Sequence, residues 1–321
     1  MRKLNRILQI LLVFVLLFTM VGCGEDTAST GIQMLNDYGY GNGFNLKGLS
    51  STSSANTIKV LQYGEEMDVE PSWEIAQWGS KYNLADGTEK SEGDWYTYAC
   101  TGKALSVNRK TSAVKLTLHA QEDYGDTPRQ QGQPWPHLLL SQGFGSITRL
   151  DEYEYINVEI DYTIDYMQNM MSEQQYIESI HTAQILFFMT VKNVDAYSAD
   201  KGNYYWFGLP LYDYRYEYPI GHTQIDGGKE ESTGKVIYTV DGKEYYDAPP
   251  TVGVKQSIKI DILPYVLESF SALQEAGHFE NSFLQHMVFG AMNIGYEMPG
   301  TFNSSFTLEK CSIQYELKEM Y

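Results

Sequence analysis

The stretch INVEIDYTIDY, residues 156–166, alternates apolar and polar side chains without a break. Ile156, Val158, Ile160, Tyr162, Ile164 and Tyr166 share one parity; Asn157, Glu159, Asp161, Thr163 and Asp165 share the other. Successive side chains of a strand point to opposite faces, so a strict period of two predicts a strand with one face in a core. AVKLTLHAQ repeats the pattern with Val114, Leu116 and Leu118, and SIKIDIL repeats it with Ile258, Ile260 and Ile262. AQILFFMTV (183–191) and MVFGAMNIGY (287–296) are apolar at both parities, as expected of strands covered on both sides. Turn signals such as ADG, GGK, VDGK and YEMPG separate these runs. One stretch has helical character, LPYVLESFSALQEAGHF. Pro264 suits a first turn, Leu267, Phe270 and Leu273 form a stripe, and Gly277 suits a stop. The expected fold is therefore all-β, a two-sheet antiparallel sandwich, with one short helix near 264–276 serving as a lid or edge cover.

The N-terminus carries a different signal. Arg2, Lys3 and Arg6 precede an apolar run from Ile7 to Phe18, followed by Thr19-Met20-Val21-Gly22-Cys23. A basic segment, a short apolar segment and a small residue before the cut are the parts of an export signal. The run is shorter than the roughly 20 residues a membrane-spanning helix needs. MVGC resembles the lipobox of bacterial lipoproteins, with Met20 where that family usually has Leu. The resemblance implies removal of residues 1–22, lipidation of Cys23 and anchorage of an exported chain to the cell envelope. Residues 24–43 are polar and Gly-rich and read as a tether, which leaves residues 44–321 as a single domain.

Loss of the leader takes the formal charge from −18 to −21. So acidic a chain does not suit nucleic acid or anionic headgroups, and the only membrane contact expected is the lipid anchor. Neutral ligands, or ligands bridged by a cation, suit it better. No cofactor is expected, although acidic loops such as DGGKEE (226–231) are compatible with a structural Ca²⁺. With Cys23 assigned to lipid, Cys100 and Cys311 remain; an exported chain permits a disulfide between them, and two separate buried thiols are the other reading.

In strand pattern and aromatic content, residues 44–321 resemble the large jelly-roll proteins of the concanavalin-like class, which includes glycan-binding modules, glucanases and polysaccharide lyases. Three further expectations come with that resemblance. The first and last strands of such folds commonly run side by side, which would bring Cys100 and Cys311 together. EIDYTID resembles the ExDxxE strand motif of jelly-roll glucanases, which would give Glu159 and Asp161 catalytic roles; here the last carboxylate, Asp165, arrives one residue late. Acids alternating with Ile and Val also describe any solvated strand face, and that reading is preferred. Jelly-roll lyases use His, Gln, Arg and Tyr in a groove, residue types present as His137, Gln142, Arg215 and Tyr212. Pro136 should start the His137 strand and set that imidazole at a sheet rim.

NYYWFGLPLYDYRYEYP, residues 203–219, holds eight aromatic rings in seventeen positions. Tyr212, Tyr214, Tyr216 and Tyr218 share one parity, opposed by Asp213, Arg215 and Glu217, and Pro210 predicts an edge or a bulge. A fully buried tyrosine row would have to satisfy four hydroxyls, whereas half-exposed rings offer a face and a hydroxyl together. Trp206 and Phe207 read mainly as packing. The main expectation is carbohydrate binding through Tyr212, Asp213, Arg215, Trp206, His137 and Gln142. Alternatives are a lyase or glycoside hydrolase of jelly-roll type and a structural or adhesive envelope protein.

Overall fold

The computed structural model describes residues 31–50, 56–64, 68–227 and 232–319. The leader and Cys23 lie outside them, as does part of the DGGKEE loop. Contacts divide the chain into Met1–Ile32 and Gln33–Tyr321, and the second unit carries the fold.

That fold is the all-β sandwich expected from the alternating runs. One sheet, eight-stranded, runs in space Lys255–Asp261, Tyr153–Asn169, Phe302–Leu317, Val114–His119, Lys103–Asn108, Trp95–Cys100 and Thr88–Glu92, with Gln33 beside the Phe302–Leu317 strand. The other, nine-stranded, runs His222–Ile225, Val236–Thr239, Tyr204–Asp213, Gln184–Asn193, Met287–Glu297, His137–Gly143, Trp73–Ala76, Phe44–Lys47 and Thr57–Leu61. Along these two strand orders pairing is antiparallel except at Trp206–Gly208 against Ile237–Thr239 and at Phe44–Leu46 against Trp73–Ile75, which are parallel.

Ile156, Val158, Ile160, Tyr162 and Ile164 are all buried between the sheets. A register shift after Ile164 turns Tyr166 outward, where its hydroxyl meets His119 Nε2 at 2.6 Å. The helix Leu263–Glu275 buries Leu263, Val266, Phe270 and Leu273 and receives the Tyr205 hydroxyl at Val266 O and Ser269 Oγ, closing one flank of the sandwich. Part of the stretch read as a tether belongs to the fold. Met34, Leu35 and Tyr40 are buried, and the Tyr40 ring packs on Phe44 and Trp73, with centroids 5.8 and 5.0 Å away. Lack of periodicity hid this, because single anchors need no repeat.

The expected adjacency of Cys100 and Cys311 does not occur. Two strands separate theirs, so the backbones are at least about 14 Å apart at the usual strand spacing, well beyond disulfide reach. Both are free thiols, and burial pushes Cys311 up to about 12, the range of an inert packed cysteine. Near Cys100, Lys103 is buried with its Nζ donating to Gln77 Oε1 at 3.2 Å. Burial pushes this ammonium down to about 8, with Asp123 partly opposing. An unfolded lysine titrates near 10.4, so between about 8 and 10.4 the unfolded chain binds the extra proton and stability rises with pH. Denaturant titrations at pH 7.5 and 9.5, below most tyrosine ionisation, should show a gain of about 2 kcal/mol that Lys103→Met removes.

Candidate functional site

The outward face of the nine-stranded sheet carries a cleft of about 760 Å³. Its floor follows from strand register. Asp213 stands opposite Gln184, Gln184 opposite Glu297, and Glu297 opposite His137, giving one polar row across four neighbouring strands. The next outward row is apolar: Pro210, Leu186, Gly295 and Leu139. Beyond it lies Gly208–Phe188–Asn293–Ser141, and then Trp206 opposite Thr190.

The sharpest geometry is at the polar row. His137 is buried, and its Nδ1 lies 2.5 Å from Trp135 O, so that nitrogen carries the proton and donates to the carbonyl. Nε2 then faces Glu297 Oε2 at 3.8 Å. The Trp78 ring packs against the imidazole, with centroids 5.4 Å apart, and His137 N donates to Trp78 O. Gly295, at φ +150°, sits in a conformation that side chains avoid; a Cβ there would meet Leu138 O at 2.3 Å. Glycine thus lets the two strands close just before Glu297.

At the other end of the row, Asp213 is consumed by its neighbours. Oδ1 accepts from Thr182 Oγ1 (2.7 Å), Arg215 N (3.0 Å) and Arg215 Nε (2.9 Å), while Oδ2 accepts from Gln184 Nε2 (2.8 Å) and the Arg215 fork (2.6 Å). Burial pushes this carboxyl up, but the hydrogen bonds and charge of Arg215, helped by Thr182, outweigh it and hold the group below the usual carboxylate range. Two loops walling the cleft are tied together. Arg129 donates to Ile180 O at 2.9 Å and lies over the Trp135 ring, while His181 accepts Ile177 N at Nδ1 and gives its Nε2 proton to Arg129 O.

Aromatic rings line the far end. Trp206 meets Phe188 and Tyr204 edge-on, at centroid distances of 6.0 and 5.7 Å. The Phe188 ring lies where a Cβ on Gly208 would be, 2.4 Å from it, so this glycine gives the ring room to lie flat on the floor.

Of the residues expected at a site, Trp206, Asp213, Arg215 and His137 line this one cleft. Trp206, read mainly as packing, is a cleft ring; Phe207, its neighbour, is core. Tyr212 is not a lining residue. The strand shifts register between Pro210 and Tyr212, as the proline suggested, which sets Tyr212 opposite Ile185 and packs it against the core. The alternating tyrosine row also fails, because the Asp213 side chain caps a turn at Arg215 and ends the strand; Tyr214 packs on Phe302 instead. Gln142 faces the core and holds the chain at Asn36, accepting from its N (2.6 Å) and donating to its O (2.9 Å).

Glu159, Asp161 and Asp165 lie on the outer face of the opposite sheet, each within salt-bridge distance of a lysine: Lys259 (2.8 Å) and Lys310 at Glu159, Lys255 (3.0 Å) at Asp161, and Lys115 (3.3 Å) at Asp165. They form the solvated face that their alternation described. Glu297, Trp78 and Asn293 escaped the sequence. YEMPG reads as a turn, and no local pattern announces which residues a sheet will line up. Among the described residues no group of three or more His, Cys, Asp or Glu side chains is placed to hold a metal ion.

No family model and no curated protein matches the chain. Solved structures similar to it include the native family 12 xyloglucanase of Bacillus licheniformis, at 11% identity and a TM-score of 0.41, covering 75% of this chain and 100% of that one. A thermostable cellulase derived from that of Rhodothermus marinus aligns at 7% identity and 0.39, over 76% and 100%. The Humicola grisea Cel12A catalytic domain, bound to a thio cellotetraose, aligns at 12% and 0.36, over 77% and 93%. Likeness at these values assigns no role to any residue of the cleft.

Proposed function

We propose that this chain is a carbohydrate-active protein whose cleft takes a neutral glycan and retains it, held at the cell envelope through a lipid on Cys23. The observation that carries the reading is the joining, in one cleft, of the Trp78, Trp135 and Trp206 rings with the polar row His137–Glu297–Gln184–Asp213. Ring faces flanked by a few convergent polar groups suit sugars, whose C–H faces stack while their hydroxyls hydrogen-bond. Neutrality follows from the charges. Arg215 is committed to Asp213, and the lining cations Arg129 and Arg215 are outnumbered by Asp213, Asp226 and Glu297, which leaves no net positive charge to receive a uronate.

A second reading, a glycoside hydrolase, is favoured by the Glu297–His137 contact. Residue 184 separates the two. Paired-carboxylate hydrolysis needs a second carboxyl about 5–5.5 Å away for retention of configuration, or about 6.5–9.5 Å for inversion. Directly opposed strand residues have Cβ atoms about 4.5–5.5 Å apart, so the neighbouring place is that of Gln184, an amide. The next carboxylate along, Asp213, already accepts five hydrogen bonds. Retention without cleavage is the expected result. Residues 24–321 should bind neutral glycans on an array and release no reducing ends from them. Silence across plant, host and microbial glycans sinks the proposal. Release of reducing ends that Glu297→Gln abolishes would establish the hydrolase instead.

A further inference from the structure

Asn293 sits in the middle of the cleft floor, 7% exposed, between Phe188 on one neighbouring strand and Ser141 on the other. Its Oδ1 is buried and has no hydrogen-bond partner among the described residues. The neighbours account for this: Phe188 has nothing to donate, and the Ser141 hydroxyl donates instead to Met292 O at 3.1 Å. An unsatisfied buried acceptor costs about 1–3 kcal/mol, and native chains seldom keep one without a use. A second buried atom of the same cleft, Trp78 Nε1, is likewise without a partner. The two stand apart on the floor: Trp78 packs on His137, which stands opposite Glu297, whereas Asn293 lies earlier on the Glu297 strand, beside Phe188.

We propose that Asn293 is the specificity-determining residue of this cleft, its amide pairing with a hydroxyl of a sugar ring seated against Phe188 and Trp206. The proposal rests on the glycan reading above and goes further by naming what is read. A sugar hydroxyl both donates and accepts, so it satisfies either end of the amide. An ionised carboxylate only accepts, so it can pair with Nδ2 but leaves Oδ1 unsatisfied, and the position favours a hydroxyl over a carboxylate. Trp78 Nε1 offers a second anchor beyond the reach of the same ring, and the preferred ligand is therefore a chain of several sugars.

Electrophoresis of the protein through gels containing hydroxyethylcellulose, xylan, galactomannan or polygalacturonate tests this, with thermal unfolding measured on the same samples. Wild-type protein should be retarded by at least one neutral polymer and not by polygalacturonate. Asn293→Leu should weaken that retardation about tenfold while its unfolding midpoint stays level or rises, because an apolar replacement removes an unsatisfied acceptor. Asn293→Ala, which adds no bulk, should weaken binding in the same way. Retardation equal to wild type in both variants overturns the assignment of Asn293 alone, as does a midpoint lowered by several degrees in both, which would mark a structural partner. Wild-type protein retarded by none of the neutral polymers overturns the glycan reading and this proposal together.

Discussion

Asp213→Ala is expected to cost the fold about 3 kcal/mol, the lower end of the range for removing one partner of a buried ion pair. The Asp213 side chain is 5% exposed and that of Arg215 is 23% exposed, so the orphaned guanidinium regains part of its hydration by turning outward. Three further donors, Thr182 Oγ1, Gln184 Nε2 and Arg215 N, lose their acceptor at the same time. For a folded unit of this size the melting midpoint should fall by roughly 5 °C. Glycan retention should fall with it, since Gln184 and Arg215 are cleft residues positioned by this carboxylate. The wild-type pair also predicts acid sensitivity. The Asp213 pKa is lowered in the folded state, so its contribution is complete above the unfolded value near 3.9 and is lost as pH falls through the folded one. The gap in stability between wild type and Asp213→Ala should therefore narrow as pH falls below 4. A gap that stays constant would show that ionisation of Asp213 contributes nothing.

Phe207→Ala is the second large effect, about 3–5 kcal/mol of stability, as for other fully buried aromatic residues cut back to Ala. Phe207 is wholly buried, stacks on Tyr238 with centroids 6.3 Å apart, and faces the interior of the sandwich. Its chain neighbour Trp206 points the other way. Trp206→Ala should leave the melting midpoint within a few degrees of wild type and weaken glycan retention tenfold or more, because a stacking surface is lost rather than core. Thermal unfolding and affinity electrophoresis on the two variants form one experiment. Equal loss of stability in both would mean that Trp206 is packing, and the cleft would lose its main ring.

These two neighbours also show how far the sequence reaches. The parity of YYWF places 206 and 207 on opposite faces, but both are aromatic, so nothing local says which face is core. The nearest chain-level clue, Pro210, marked a break in the ladder without telling which parity would emerge from it. The bulge there moved Asp213 into the cleft and Tyr212 out of it. A shift of one residue exchanges the two faces, and its position depends on the partner strand.

His137 was legible because a proline beside it restricts where a strand can begin. Gln142 was not, since its amide is spent on Asn36, 106 residues away in sequence. Glu159 and Asp161 belong to a face whose solvated character their alternation stated correctly. Glu297 was hidden because its importance lies in standing beside Gln184 and His137, and sequence contains no measure of cross-strand company.

By itself the sequence determined the all-β class, the buried face of the 156–164 run, the helix Leu263–Glu275 and the abundance of rings, because side-chain period and turn chemistry are local properties of a strand or helix. Tertiary structure alone decided strand order, and with it the separation of Cys100 from Cys311 and the polar row His137–Glu297–Gln184–Asp213. Order and register arise from pairings between distant segments, which backbone hydrogen bonding permits in many combinations and only the packing of both sheets into one core selects.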